Sequence, residues 1–362
     1  AACEPCGYHP LTLRLLAGLI VNDPDRPGDV SVAADYSPID DLAPGEHHVL
    51  ALAYESLDQP LRTLLSRLAA FRNPVDYQVA ATLSPFDNKR QLGMAFRELV
   101  NRGLIYFDEQ RLRYDLHPIV RRYAYRHLVN REGIHDKLRN LLSTVPTPDA
   151  MEVESVKDLE PVIELYHHTV RARRYEDALD LYRERLADPL YYRLGAYQTE
   201  IDLLCALFDD EDSPALRWTP DTGGKGVALP RLREKRAQAW TLNALASSYS
   251  RSGRPSAAMP LLKTHYALRE KLRDKASLAA GLKNLATIRL ELGALADAAD
   301  DLQRSIQWAR ASREKALRAS AHQEMARLLS FEGSFDEAEE HLDTAAEIQG
   351  KMGHAASTGR TW

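Results

Sequence analysis

Three places in the sequence carry side chains whose types and spacing could do chemistry. Cys3-x-x-Cys6 with His9 offers three soft metal ligands at tight spacing, but a tetrahedral zinc site needs a fourth, and Cys205 stands in no partner motif. Gly223-Gly224-Lys225-Gly226 invites a phosphate-loop reading. That motif requires Gly, four residues, then Gly-Lys-Ser/Thr. Here Thr219 holds the first glycine position and Gly226 replaces the hydroxyl residue needed for magnesium, so the segment reads as a flexible loop. In "YDLHPIVRRYA", residues 114–124, a strand-like run ends on His117-Pro118 and turns straight into a basic helix with an apolar stripe. An imidazole there lies where free backbone N–H groups and the helix dipole favour an anion. Pro118 suits the first helical position, because that N–H has no intrahelical partner anyway. The same histidine could equally cap the helix or fill a core corner.

Other constellations are weaker. His47-His48 and His167-His168 are adjacent pairs on expected helices or caps, where neighbouring side chains diverge. Neither a Ser-His-Asp nor a Cys-His arrangement has a local signature. A Walker A sequence is absent, and no apolar run ends in the paired carboxylates of a Walker B strand. Trp218, Trp240 and Trp308 read as core or linker anchors rather than a base-stacking platform. No catalytic residue and no metal ligand is assigned, and the chain is expected not to be an enzyme.

The composition sets the setting for these residues. A chain of 362 residues with 44% hydrophobic and 27% charged content can fold as two or three domains. A formal charge of −5 and a pI near 6.2 make no global case for nucleic acid or an anionic membrane. No apolar run reaches the ~18 residues of a bilayer span, and no secretory signal is evident. Three cysteines do not make a disulfide framework, so a cytoplasmic setting is expected.

The strongest pattern lies in the C-terminal half. "LASSYSRSGRPSAAMPLL", "LATIRLELGALADAADDL" and "MARLLSFEGSFDEAEEHL" superimpose without gaps at a spacing of forty, with markers Ala246, Ala286, Ala326; Gly253, Gly293, Gly333; Ala258, Ala298, Ala338; and Leu262, Leu302, Leu342. Paired alanines allow two helices to approach closely, and the glycine supplies the left-handed backbone that ends the first of them. Each hairpin leaves an apolar face that only its neighbours can cover, so the units stack. The pattern resembles the tetratricopeptide repeat, with a longer period than the usual ~34 residues and without that family's proline. In that family the first helix of each pair lines a concave groove. By phase Asn243, Lys283 and Gln323 occupy one groove row, Ser247, Thr287 and Arg327 a second, and Arg251 and Glu291 fall beside it. These are the candidate contacts for a protein or peptide partner, or a plain solvated face.

The repeat decays toward the N-terminus. "RRYEDALDLY" sets Tyr175 to Ala178 against Phe335 to Ala338, and "YYRLGAYQTEIDLL" reads as a hairpin around Gly195. Residues 209–230, acidic and then rich in Pro and Gly, read as an exposed insertion. Ala276, Ala316 and Ala356 share a register, so the natural protein is expected to continue past Trp362.

From 47 to 128 the sequence reads helix, helix, helix, helix, two strands, helix. Leu92, Phe96, Leu99 and Leu104 form an apolar stripe, Gly103 closes that helix, and Ile105 to Phe107 with Leu112 to Leu116 form a hairpin. Helices followed by a small hairpin make a winged helix. Residues 86–131 carry ten Lys or Arg against five Asp or Glu, the electrostatic footprint that DNA binding needs. A solvated face or a docking surface accounts for it as well.

"CGYHPLTLRLLAGLI", "YESLDQPLRTLLSRLAAF" and "FRELVNRGLIYFDEQRLRYDLHPIVRRYA" occur in the order seen in signalling ATPases of the STAND class, NB-ARC type. The resemblance covers about residues 1–130. In that family a Gly-x-Pro-Leu element follows the phosphate-loop domain with its proline against the adenine; Gly7-Tyr8-His9-Pro10-Leu11 matches with one extra residue. The family's Met-His-Asp element, whose histidine reaches the ADP phosphates, matches Leu116-His117-Pro118 at the histidine only. Proline in place of aspartate removes a group that helps hold the family's resting state. The resemblance thus implies His117 and Pro10 as contacts to ADP or ATP with magnesium, in the context of a complete nucleotide site. It also implies that Cys3 and Cys6 are buried small apolar residues.

The expected fold is mainly α: a winged helix followed by an α-solenoid of tetratricopeptide-like hairpins. The expected segments are 1–45, the remnant of an ATPase helical subdomain; 46–131, the winged helix; 132–208, degenerate repeats; 209–230, the insertion; and 231–362, the repeats. The expected function is a non-catalytic sensor that binds a partner through the solenoid and passes that state to an upstream ATPase domain. A DNA-binding transcription regulator and a stand-alone interaction scaffold are the alternatives. No membrane partner is expected.

Overall fold

The structure, a computed structural model, describes residues 9–36, 48–144, 146, 148–149, 152–208 and 227–351. Cys3, Cys6, Gly7, Tyr8, His47, Trp218, the Gly-Gly-Lys-Gly loop and Ala356 lie outside them. The chain divides into two compact units, residues 1–141 and 142–362.

The first unit begins with α1 (Pro10–Val21), a 3-10 segment (Val30–Tyr36), α2 (His48–Glu55) and α3 (Gln59–Leu68). Next come β1 (Val75–Asp76), α4 (Tyr77–Ala81), α5 (Lys89–Asn101), β2 (Tyr106–Asp108) and β3 (Arg113–Asp115). It closes with α6 (Pro118–Arg126) and α7 (Arg131–Leu142). Short polar side chains start the helices: Asp58, Asp76 and Asn88 each accept the backbone N–H three residues on, at 2.8, 2.8 and 2.9 Å. The expected stripe of α5 is buried, and Phe96 packs at a tilt against Tyr114 with ring centroids 4.3 Å apart. The strands form an antiparallel sheet in the order β1-β3-β2, so the winged helix has three strands where the sequence shows two. Two residues are too few for a period-2 alternation to be read. Helix α7 packs Ile134 and Leu138 into this same core, so the first unit runs to 141 and the degenerate repeats do not begin at 132.

The second unit holds α8 (Glu160–Arg171), α9 (Tyr175–Arg185), a π-helical turn (Pro189–Leu194) and α10 (Tyr197–Cys205). Three hairpins follow: α11 (Lys235–Arg251) with α12 (Pro255–Lys271), α13 (Lys275–Glu291) with α14 (Leu295–Ser312), and α15 (Lys315–Glu332) with α16 (Phe335–Gly350). The marker alanines are buried where paired helices meet. Leu262 and Leu302 are buried, while Leu342 is 43% exposed, because among the described residues no helix follows α16. The expected hairpin around Gly195 is a single π-helical turn joined to α10, since Pro189 at its start has no N–H to donate to a preceding turn. A buried carboxylate ties these helices together: Tyr182 Oη donates to Glu200 Oε1 at 2.6 Å and Ser248 Oγ to Oε2 at 3.0 Å.

Gly253, Gly293 and Gly333 take φ of 79°, 77° and 81°, and the next residue's N–H returns to the carbonyl of Tyr249, Arg289 and Leu329. The α8–α9 hairpin closes identically, Arg174 N–H to Thr169 O at 3.1 Å, with Arg173 in the glycine's place at φ 56°. A Cβ at Gly293 would touch nothing within 4 Å, so only backbone strain opposes a side chain there. Gly293→Ala should therefore lose about 1 kcal/mol. The urea midpoint of the variant checks this, and an unchanged midpoint would show that the left-handed backbone at 293 carries no strain.

Candidate functional site

Two sequence elements expected to face a nucleotide come together in the first unit. His117 caps α6, its Nδ1 accepting the Ile119 N–H at 3.3 Å, which leaves Nε2 as the protonated nitrogen of the neutral ring. His117 thus caps the helix, and because it is exposed it does not fill a core corner. His9 holds the N-cap position of α1 next to exposed Pro10, and its ring lies edge-on to His117 with centroids 6.5 Å apart. His9 and His117 thus meet, and with them the N-termini of α1 and α6. Arg14 fixes α1 in place: its Nη2 donates to Ile105 O at 2.9 Å and its guanidinium lies 5.9 Å from the Tyr106 ring.

The winged helix exposes Lys89, Arg90, Gln91, Met94, Arg97 and Asn101 along α5, with Arg111 to Arg113 at the wing. Part of the local basic excess is used internally. Arg102 pairs with Glu98 at 2.9 Å, Arg121 with Asp115, and Arg111 with Asp108 at 3.9 Å. Among the described residues Lys89, Arg90, Arg97 and Arg113 form no ion pair.

The expected groove residues lie on α11, α13 and α15, but they are tied to one another more than the sequence implies. Asn284 Nδ2 donates to Asn243 Oδ1 at 2.8 Å, so position 243 of one hairpin meets position 284 of the next. The same step sets Lys283 in the field of Glu324. Burial pushes the Lys283 ammonium below its ordinary pKa, Glu324 opposes that shift and Arg251 adds to it. Lys283 Nζ also donates to Ser320 Oγ at 3.4 Å. Gln323 Nε2 is buried without a hydrogen-bond partner among the described residues. Ser247 and Thr287 turn their hydroxyls back onto the carbonyls of Asn243 and Lys283, at 3.0 and 3.1 Å, which reduces what they offer a ligand. Arg327 pairs with Glu324 at 3.3 Å, Glu291 accepts from Ser250 at 2.8 Å, and Arg251 bonds the Tyr191 hydroxyl. Asn284, Ser320, Glu324 and Tyr191 were missed. Asn284 and Glu324 lie one register column over from a row already aligned, and Ser320 lies three positions before Gln323 on the same helix; Tyr191 sits on the π-helical turn, outside any repeat.

The described residues contain no group of three or more His, Cys, Asp or Glu placed to hold a metal ion. His167 and His168 do not converge on a ligand: their rings stand 63° apart, and His168 Nε2 lies 3.3 Å from Glu164. Trp240 packs against the second core with Arg183 over its ring, the anchor role expected of it. Among the described residues no helix is long and apolar enough to cross a membrane.

A family model for a winged helix-turn-helix domain matches residues 57–129, the segment from the start of α3 through α6. No curated protein matches the chain. Among solved structures, the chain is similar to a Signal Transduction ATPase with Numerous Domains (STAND) protein with a tetratricopeptide repeat sensor from Pyrococcus horikoshii. Identity is 18% and the TM-score 0.29, over 96% of this chain and 56% of that one. It is also similar to BtubC (BKLC) from P. vanneervenii, at 14% identity and a TM-score of 0.33, over 82% of this chain and 93% of that one. The chain therefore spans little more than half the length of the first of these.

Proposed function

We propose that the chain is the non-catalytic sensor portion of a STAND-type signalling ATPase of the NB-ARC kind, with its repeat hairpins as the receptor for a protein or peptide. The observation that carries this is the polar row on α11, α13 and α15, centred on the half-buried Lys283. A partner binding there would bias a two-state arrangement of the arm. The winged helix would relay that bias to the ATPase domain. His117 and Pro10 would contact its bound ADP or ATP, whose magnesium the ATPase domain would hold; the meeting of His9 and His117 supports this assignment.

A photo-crosslinking residue at Thr287, compared with one at exposed Lys263 on α12, tests the reading in cells. A discrete adduct from position 287 alone, lost when Lys283→Glu is added, is expected. Equal adducts from both positions, or none from either, would sink it. A second reading rests on Lys89, Arg90, Arg97 and Arg113, which are exposed and form no ion pair among the described residues. It would have duplex DNA bind steeply with falling salt, and lose that binding when the four are neutralised.

A further inference from the structure

The third hairpin holds an ionisable pair where the first holds leucines. Leu242 and Leu261 are fully buried in the α11–α12 hairpin; the equivalent residues are Leu282 and Asp301, then His322 and His341. His322 is buried on α15, with its Nδ1 2.9 Å from His341 Nδ1 on α16 and the ring centroids 5.0 Å apart. Two nitrogen lone pairs do not face each other at that distance, so one nitrogen carries a hydrogen. His322 Nε2 is buried and has no hydrogen-bond partner among the described residues. An orphaned buried donor is rarer than an orphaned acceptor, which makes His322 the Nδ1–H tautomer and His341 the acceptor.

An added proton has no good place in this pair. On His322 it turns Nε2 into an N–H without an acceptor. On His341 it forces His322 to carry its own hydrogen on Nε2, with the same result. The surrounding charges do not relieve this at His322, which faces Arg310 of α14 and Arg318 of α15. Glu337 and Glu340 lie near His341 on α16. Burial first, then His341 and the two arginines, holds His322 down at about 4; burial also lowers His341, against the pull of both glutamates.

We infer that His322 and His341 form an acid-sensitive latch, which holds α16 on α15 at neutral pH and releases it as the solution acidifies. Release would uncover Ala319, Ala345 and Ile348, which are buried together between the two helices. A histidine whose folded pKa is depressed contributes stability that is present above its unfolded value of 6.5 and is lost as the pH falls toward 4. One such proton makes opening of the hairpin roughly 20-fold more frequent at pH 5 than at pH 7.

The test compares hydrogen exchange of α16 amides in the full chain with that of a His322→Leu/His341→Leu double variant, which installs the first hairpin's leucine pair. Taking the ratio at each pH cancels the intrinsic pH dependence of exchange. The expected result is a roughly 20-fold loss of wild-type protection relative to the variant between pH 7 and pH 5. An unchanged ratio overturns the inference. If the double variant does not fold, titration of the wild-type histidines by long-range 1H–15N NMR decides. A His322 ring that stays neutral to below pH 5 supports the latch, and two rings titrating near 6.5, the ordinary value, overturn it.

Discussion

Gly18→Ala should destabilise the first unit by about 3 kcal/mol and draw His9 away from His117. The reason is a contact of backbone on backbone. A Cβ at position 18 would lie 2.4 Å from the Arg102 carbonyl oxygen and 2.7 Å from its carbon. No side chain is there to swing aside, so α1 itself must retreat from the end of α5. Alanine is the better helix former by about 1 kcal/mol, which opposes the loss without cancelling it. A retreating α1 carries His9 and Pro10 with it, so the His9–His117 pair should separate even in protein that still folds. Urea unfolding followed by tyrosine fluorescence measures the first effect, and the His9–His117 proton cross-peaks measure the second. A variant more stable than wild type would show that the two backbones do not touch.

Glu200→Ala should cost the second unit about 3 kcal/mol, while Glu200→Gln should cost 1 kcal/mol or less. Alanine leaves the buried Tyr182 hydroxyl without an acceptor and opens a cavity between α9, α10 and α11. Ser248 suffers less, because its hydroxyl also reaches the Ala244 carbonyl at 3.2 Å. Glutamine keeps one oxygen as acceptor and removes the cost of burying a charge. The pH dependence separates the two effects. Burial lifts the Glu200 carboxyl above its ordinary pKa, with the Tyr182 and Ser248 bonds opposing. A carboxyl raised in this way holds its proton more tightly in the folded state. Its contribution is therefore largest at acid pH and is lost as the pH rises through the raised value. Wild type should accordingly gain on Glu200→Gln as the pH is lowered from 7 toward 4.5, measured by paired denaturant titrations. A difference that does not change with pH would mean that Glu200 is not desolvated.

Periodic features were readable from the sequence because burial repeats with the helix. The forty-residue register, the hairpin glycines and the apolar stripe of α5 all have that origin. Strand β1 was not readable, being too short to alternate, and α7 was placed with the wrong unit because its apolar pattern fits either core. For the candidate groove, helix positions could be read from the repeat phase, but the side chains that partner them could not. Asn243 and Lys283 fell in one row by phase, whereas the bond from Asn284 crosses columns and depends on how far successive hairpins shift. Likewise nothing local marks Gly18 or Glu200, since each matters only for what lies against it from another element.

The cross-column pairing also bears on how such an array can change in the genome. A tandem duplication of the unit carrying 283 and 284 would set Lys283 against a copy of Asn284, leaving a half-buried ammonium without the neighbouring carboxylate of Glu324. Loss of that unit would set Asn243 against Glu324, and an amide donates readily to a carboxylate. Unequal recombination should therefore be survived more often when it shortens this array than when it lengthens it.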